Sequence, residues 1–341
     1  MGQDMQKQDG QTCRETLLVF DCHEPWVYQL GSLGYNLDII IGLKGRYKQT
    51  WDEQMRPLPA HSRLLTLSEA LQSNTSYYCI ITHNMTDLLD IKPRPEPRLV
   101  VLHSTIEGRA LEEKSNIAPH QMKEMLHRYT KLANVHVVAV SALKGKSCGF
   151  TEDIVPFGIN ADDYLPYSGH VAAGLRVCNF IESRKTILLW DFHQKAFDGI
   201  PVQLVGYNPG IPGVAASDNW QHLKEILRSQ RFYIHTAAPQ LEDGYNMASL
   251  EAMAAGLPVL GNRHPTSPVK HGVNGFLSNN PSELGKCARI LLEDIDLAAR
   301  MGQQARKTVM ERFSISRFKK AFLQSIETAR SKHNIRREAN L

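Results

Sequence analysis

The stretch EDGYNMASLEAMAAGLPVLGN (242–262) sets two carboxylates, Asp243 and Glu251, eight positions apart around a helix start. Asn246 is suited to cap a helix from Met247 to about Ala255, and Gly256 with Pro258 beyond it ends that helix. The first turn of such a helix offers unpaired backbone N–H groups and the positive end of its dipole, which together favour a phosphate. Glu251, just over one turn in, would oppose a phosphate beside it but can accept two hydrogen bonds from a vicinal diol such as a ribose. Asp243, in the loop with Gly244 and Tyr245, can accept hydrogen bonds from sugar hydroxyls. Acid, phosphate-binding amides, acid: the order fits a sugar nucleotide laid across the helix end. For the pair alone, an exposed helical glutamate and a common Asp-Gly turn remain the plain structural alternative.

Strand-like runs must carry this helix to its place. TLLVFDC (16–22), LDIIIGL (37–43), YYCIITH (77–83), RLVVLHS (98–104) and HVVAVSA (136–142) are apolar and continuous rather than alternating. Strands covered on both faces of a parallel sheet have this composition. QMKEMLHRYTKLANV (121–135) has apolar residues at helical spacing and supplies a covering helix between the last two runs. After the turn-rich VPFGINADDYLPY (155–167) the rhythm restarts with LRVCNFI (175–181), PVQLVGY (201–207), RFYIHTA (231–237) and LPVLGN (257–262). Long helices follow, with a break expected at Asp294 and Ile295. Two strand–helix series predict an α/β chain of two doubly wound domains facing across a cleft, with ligands in the loops after strands. The expected divisions are a floppy arm over 1–14, a first domain over 15–165, a second over 166–330 and a polar, frayed tail over 331–341.

The 341 residues, with 42% hydrophobic and 22% charged content, are ordinary for a globular protein. A formal net charge of +4 does not by itself argue for nucleic acid or a membrane surface. No apolar run reaches the ~20 residues that span a bilayer, and the polar N-terminus lacks a signal-peptide core. The six cysteines lie far apart without a C-x-x-C pair, so reduced core residues of a cytoplasmic protein are expected rather than disulfides or a metal site. Asp-Ile-Asp within EDID (293–296) falls in a helical segment and reads as solvated charge. His23, His83 and His103 lie at or just past strand ends on the expected cleft side. Each is either a hydrogen-bonded structural residue or a site residue. Glu24 could contact an acceptor hydroxyl or serve as a surface or capping residue. Asn208 and Gly210 in VGYNPG line a nucleotide pocket or make a plain turn.

DGYNMASLEAMAAGLPVLGN (243–262) resembles the E-x₇-E segment of retaining glycosyltransferases of family four, which have the two-Rossmann-domain GT-B fold. HVVAVSALKGKS and IVPFGINADDYLP resemble that family's serine-bearing strand end and its entry to the second domain. HGVNGFL (271–277) is similar to its post-helix turn, and DLAARMGQQARKTVMERFS (296–314) to its C-terminal helix. The likeness covers about residues 98–322. Four departures stand out: TSPVKHG (266–272) lacks the acidic residue common after the second glutamate's helix, and three more concern the motif and two loops. Asp243 replaces a glutamate, FIESRKTILLW (180–190) has no arginine at the usual distance before its lysine, and DCHEPW (21–26) stands where a glycine-rich loop is common.

The resemblance implies a retaining transfer of a hexose from a nucleoside diphosphate sugar, uridine favoured over guanosine, to a hydroxyl acceptor. Lys185, Arg184 and the amides near Asn246 and Met247 would hold the phosphates. Glu251 would bind the ribose, Asp243 would position the sugar, and His103 would lie near the reacting carbon. No cofactor or metal is required if cations and the helix dipole stabilise the leaving diphosphate. Donor and acceptor are the expected partners, without nucleic acid or a transmembrane segment; peripheral membrane contact stays open. A sugar-nucleotide epimerase or phosphorylase on the same fold, or a catalytically silent nucleotide-sugar-binding partner, are the alternatives.

Overall fold

The structure, a computed structural model, describes residues 14–46, 49–164 and 166–339; most of the expected N-terminal arm lies outside them. The first sheet collects β1 (Thr16–Phe20), β2 (Asn36–Ile40), β3 (Ser62–Leu65), β4 (Cys79–Thr82), β5 (Arg98–Leu102) and β6 (His136–Ala139) in the order β3-β2-β1-β4-β5-β6. All its pairings are parallel. Leu17, Leu18, Val19 and Phe20 of the central strand are fully buried, as continuous apolar runs require when helices cover both faces. Those helices are α1 (Glu24–Tyr28), α2 (Leu67–Gln72), α3 (Met85–Asp90), α4 (Ile106–Glu112), α5 (Pro119–Leu132) and α6 (Ala142–Cys148).

The second sheet is likewise parallel. It is built from β7 (Val171–Val177), β8 (Val202–Val205), β9 (Gln230–Ile234), β10 (Val259–Gly261) and β11 (Gly275–Leu277) in the order β11-β10-β9-β7-β8. Its helices are α7 (Trp190–Ala196), α8 (Trp220–Ser229), α9 (Met247–Ala254), α10 (Pro281–Glu293) and α11 (Ile295–Arg312). Asp294 both ends α10 and caps α11, accepting a 2.7 Å hydrogen bond from the Leu297 amide, so the helix breaks where the sequence indicated.

In each sheet the strand order reverses once, between β1 and β4 in the first and between β7 and β9 in the second. Crevices for ligands open at such switch points, beyond the carboxyl ends of the strands. The loops after β1 and β4 carry Cys22, His23 and His83. Those after β7 and β9 carry Arg184, Lys185 and Asp243.

The chain crosses between the sheets twice, and the crossings are bonded to each other: Ile159 N–H donates to Phe313 O at 2.7 Å and Ile315 N–H to Ile159 O at 3.0 Å. From there α12 (Ile315–Ala339) returns to the first sheet and packs on β4, β5 and β6. Phe318, Phe322, Ile326 and Ala329 are buried along it, each large side chain contributing roughly 2 kcal/mol. The frayed tail expected from residue 331 is instead helix as far as Ala339. Its polar side chains are anchored: Lys332 Nζ lies 3.0 Å from His136 Nδ1, and Arg336 Nη1 donates to Leu132 O at 3.0 Å.

α9 is wedged against α11 so closely that a Cβ on Gly302 would stand 1.8 Å from the carbonyl oxygen of Gly256. Backbone cannot yield as a flexible side chain does. Gly302→Ala is therefore expected to lower stability by about 1–3 kcal/mol, measured as the urea midpoint; an unchanged midpoint would contradict this packing.

Candidate active site

α9 begins at the carboxyl edge of the second sheet. The Asn246 side chain accepts from Ser249 N at 2.8 Å while Asn246 N–H donates to Ser249 Oγ at 2.8 Å, a reciprocal cap. Gly256, at φ +88°, closes the other end. Gly244 N–H donates to Thr266 Oγ1 at 2.8 Å, and a Cβ on Gly244 would meet the His264 ring at 2.8 Å. The amides of Gly244 and Asn246 are thus committed. Among the described residues, those of Met247 and Ala248 make no hydrogen bond, so the expected phosphate contact moves one residue into the helix.

Both acids of the motif are buried, Asp243 at 1% and Glu251 at 5% exposure, and both meet cations of the first domain. Lys144 Nζ, from α6, lies 2.8 Å from Glu242 Oε1 and 3.3 Å from Asp243 Oδ2. Neither Asp243 oxygen accepts a hydrogen bond, so that pair is one of charge rather than of aligned donor and acceptor. Burial works to lower the pKa of the Lys144 ammonium, but the facing carboxylates of Glu242 and Asp243 outweigh it and raise the value. For Glu242 burial raises and Lys144 lowers, and the lowering prevails. His235, pushed down to about 4 by burial, is neutral at pH 7; its Nε2 stands 3.1 Å from the Asp243 carbonyl and so donates to it.

Glu251 Oε1 is held at 2.5 Å by Arg56 Nη2. The Arg56 guanidinium lies 4.3 Å above the Trp220 ring, and Trp220 N–H donates to Gln54 O at 2.8 Å. A cavity of about 290 Å³ opens here, walled by Tyr28, Arg56, Tyr164, Trp220, Met247 and Glu251. Thr105 Oγ1–H donates to Leu241 O at 2.6 Å and adds a further contact across the seam.

Arg184 joins the same seam, its Nε 3.1 Å from Glu112 and its Nη2 3.8 Å from Glu242. Lys185 is exposed and makes no ion pair among the described residues. His103 Nε2 lies 2.9 Å from His83 Nδ1. Burial, then His83, Lys144 and His23, holds the His103 pKa well below its ordinary value. His23 is exposed at the start of α1 and makes no side-chain cap there; Glu24 is buried in its first turn, not on the surface. Two expected ligand contacts are corrected. Tyr245 is a core residue, its ring packed on Phe157 at 6.5 Å and Phe313 at 5.1 Å. The Asn208 amide bridges the neighbouring loop, accepting from Ile181 N at 2.8 Å and donating to Cys178 O at 2.7 Å.

The sequence reading missed Lys144, Arg56, Trp220 and Glu242. Lys144 follows a strand and the Ser141 cap in SALKGKS, a position that could have flagged it. Arg56 sits in an irregular polar loop with no local signal.

The folded-state pKa of Glu242 is lowered, so its stabilisation is complete above about pH 5 and is lost as pH falls below about 4. Lys144 is raised, so its share is complete below its unfolded value, about 10.4, and is lost as pH rises through the folded one. Lys144→Met removes the counter-charge of Glu242 and Asp243 and is expected to cost about 3–5 kcal/mol at pH 7, with the deficit shrinking as acid neutralises the carboxylates. Urea unfolding at pH 7 and pH 4 tests this; a deficit that is absent, or grows toward acid, would contradict the pairing.

Comparison with known proteins agrees with this geometry. Residues 204–294 match the sequence model of the family "Glycosyl transferases group 1". No curated protein matches the chain by sequence. Among solved structures, sucrose-phosphate synthase from Thermosynechococcus elongatus superposes with a TM-score of 0.65 at 13% identity, over 92% of this chain and 99% of that one. HepE from Anabaena, crystallised with UDP, gives 0.64 at 14% identity over 92% and 100%. TarM from S. aureus, crystallised with UDP and alpha-GlcNAc-glycerol, gives 0.56 at 13% over 73% of this chain, which spans 55% of TarM. Two parallel sheets meeting at a seam, matched over nearly the whole chain by such structures, give the chain a GT-B fold, and its residues 204–294, which contain both acids, are similar to the group 1 glycosyltransferases.

Proposed function

We propose that the chain transfers a hexose from a nucleoside diphosphate sugar, with a uridine donor favoured, to a hydroxyl acceptor with retention of configuration. One observation carries this reading: the open amides of Met247 and Ala248 lie between two buried acids, at the switch point of the second sheet. HepE has been crystallised with UDP-glucose, which supports the choice of donor. The diphosphate sits at these amides, with Arg184 and Lys185 as the side-chain cations. Glu251 takes the ribose hydroxyls, and Asp243 orients the sugar.

Lys144 and Arg56 hold the acids until the donor's hydroxyls share or replace them. His103, facing Lys144 from the first domain, lies near the reacting carbon. In a front-face displacement negative charge builds on the departing diphosphate, and cations with aligned amides stabilise it without a metal. Closure of the seam excludes water that would hydrolyse the donor. The reaction belongs in the cytoplasm, where the five described free thiols stay reduced. The pairing of both acids with the cations Lys144 and Arg56 favours a second reading, a silent nucleotide-sugar-binding partner.

A thermal screen against UDP, GDP, ADP and TDP separates these readings, followed by nucleotide release from the matching sugar donors. UDP at 100-fold its Kd is expected to add about 2.7 kcal/mol of stability. Glu251→Gln raises KM, and Asp243→Asn lowers kcat by about 10²-fold. No stabilisation by any nucleotide refutes both readings, and stabilisation without turnover selects the silent partner. Turnover that leaves the nucleotide on the sugar selects an epimerase.

A further inference from the structure

The carboxyl ends of β1, β4 and β5 bring Cys22, His83 and His103 together, far apart in the chain and without any local spacing motif. His103 Nε2 stands 2.9 Å from His83 Nδ1 and 4.0 Å from Cys22 Sγ, and the three donor atoms lie within 4.8 Å of one another. His83 Nε2 is 3.0 Å from the Phe20 carbonyl. A carbonyl only accepts, so that nitrogen carries the proton, and the lone pair of Nδ1 faces the other two donors. Trp26 fixes both imidazoles edge-on, with centroids at 4.8 and 5.2 Å.

Two imidazoles and a thiol are a donor set for Zn²⁺ and its congeners rather than for Mg²⁺ or Ca²⁺. In a tetrahedral site with ordinary bond lengths the nitrogens stand about 3.3 Å apart and each lies about 3.6 Å from the sulfur. The observed nitrogen separation and the Cys22–His103 distance are each within about half an ångström of this, and the Cys22–His83 pair lies within 4.8 Å. A histidine whose second nitrogen is pinned on a carbonyl is the usual arrangement around such an ion.

We propose that Cys22 Sγ, His83 Nδ1 and His103 Nε2 bind one Zn²⁺-class ion, with a fourth position left to water. On binding, the thiol releases its proton to solvent and the His103 proton moves from Nε2 to Nδ1. Cys22 and His103 are half-buried whereas His83 is buried, so the accessible side is that of the first two. The ion ties three strand ends of the acceptor-side crevice together. It lies in the first domain and shares His103 with the proposed transferase site, but its binding is read out without turnover and does not depend on that reading.

The tag-free full-length chain, stripped with a chelator, is titrated with Co²⁺ and then Zn²⁺. One equivalent of Co²⁺ is expected to give a sulfur-to-metal charge-transfer band that Zn²⁺ abolishes. Cys22→Ser removes the band. His83→Gln weakens Zn²⁺ binding at least about tenfold against a competing chromophoric chelator, with circular dichroism reporting the fold. Absence of the band in the wild-type chain overturns the proposal, as does undiminished binding in folded His83→Gln or a band that persists in Cys22→Ser. Should Cys22→Ser not fold, the wild-type and His83→Gln titrations decide alone.

Discussion

The seam between the two sheets is governed by the cost of burying charge. Lys144, Glu242 and Asp243 are all shielded from water, and an ion taken out of water costs several kcal/mol unless another stands against it. The positions of α6 and of the 238–246 loop are therefore not independent: each supplies the counter-charge that the other needs. Arg56 and Glu251 repeat the arrangement on the far side of α9. Because desolvation nearly cancels Coulomb attraction in such pairs, water can repay most of what is lost when the seam parts. Under the proposed function, a contact that opens for a donor is better built this way than from apolar surface.

The chain crossings beside this seam obey another rule. There the crossing segments hydrogen-bond to each other, and α12 sets Phe318 and Phe322 against Trp26, at 6.5 and 5.8 Å between ring centroids. Apolar burial offers no such compensation on exposure, so parting these contacts would cost more than parting the ionic ones. Trp26 links the two regions, since the same ring that receives α12 also braces His83 and His103. The position of the last helix is thereby coupled through one side chain to the crevice of the first domain.

Much of this was legible in the sequence. Runs such as TLLVF and LVVL could only be strands covered on both faces, and they are. Asn246 and Gly256 marked the ends of α9 because caps and left-handed glycines are local requirements. What could not be read was anything fixed by distant partners. Arg56 meets Glu251 across 195 positions, and no periodicity in its loop points there. Tyr245 resembled a ligand-facing aromatic because it stands inside the motif; Phe157 and Phe313, brought in by the two crossings, bury it instead. The C-terminal residues looked like a solvated tail by composition, yet Lys332 and Arg336 find partners at the start of β6 and the end of α5. Cys22 is a free thiol packed against the core, as expected, but its approach to His83 and His103 could not be read because they come from other strands.

The central claim is that the short helix α9 grips a diphosphate while the acids around it hold the attached sugars. A crystal structure of the chain with UDP bound tests it directly. The account predicts the pyrophosphate within hydrogen-bonding distance of the Met247 and Ala248 amides, with the ribose hydroxyls on Glu251 and the Arg56 guanidinium shifted from that carboxylate or sharing it. A pyrophosphate bound elsewhere, with Glu251 still paired only to Arg56, would contradict it.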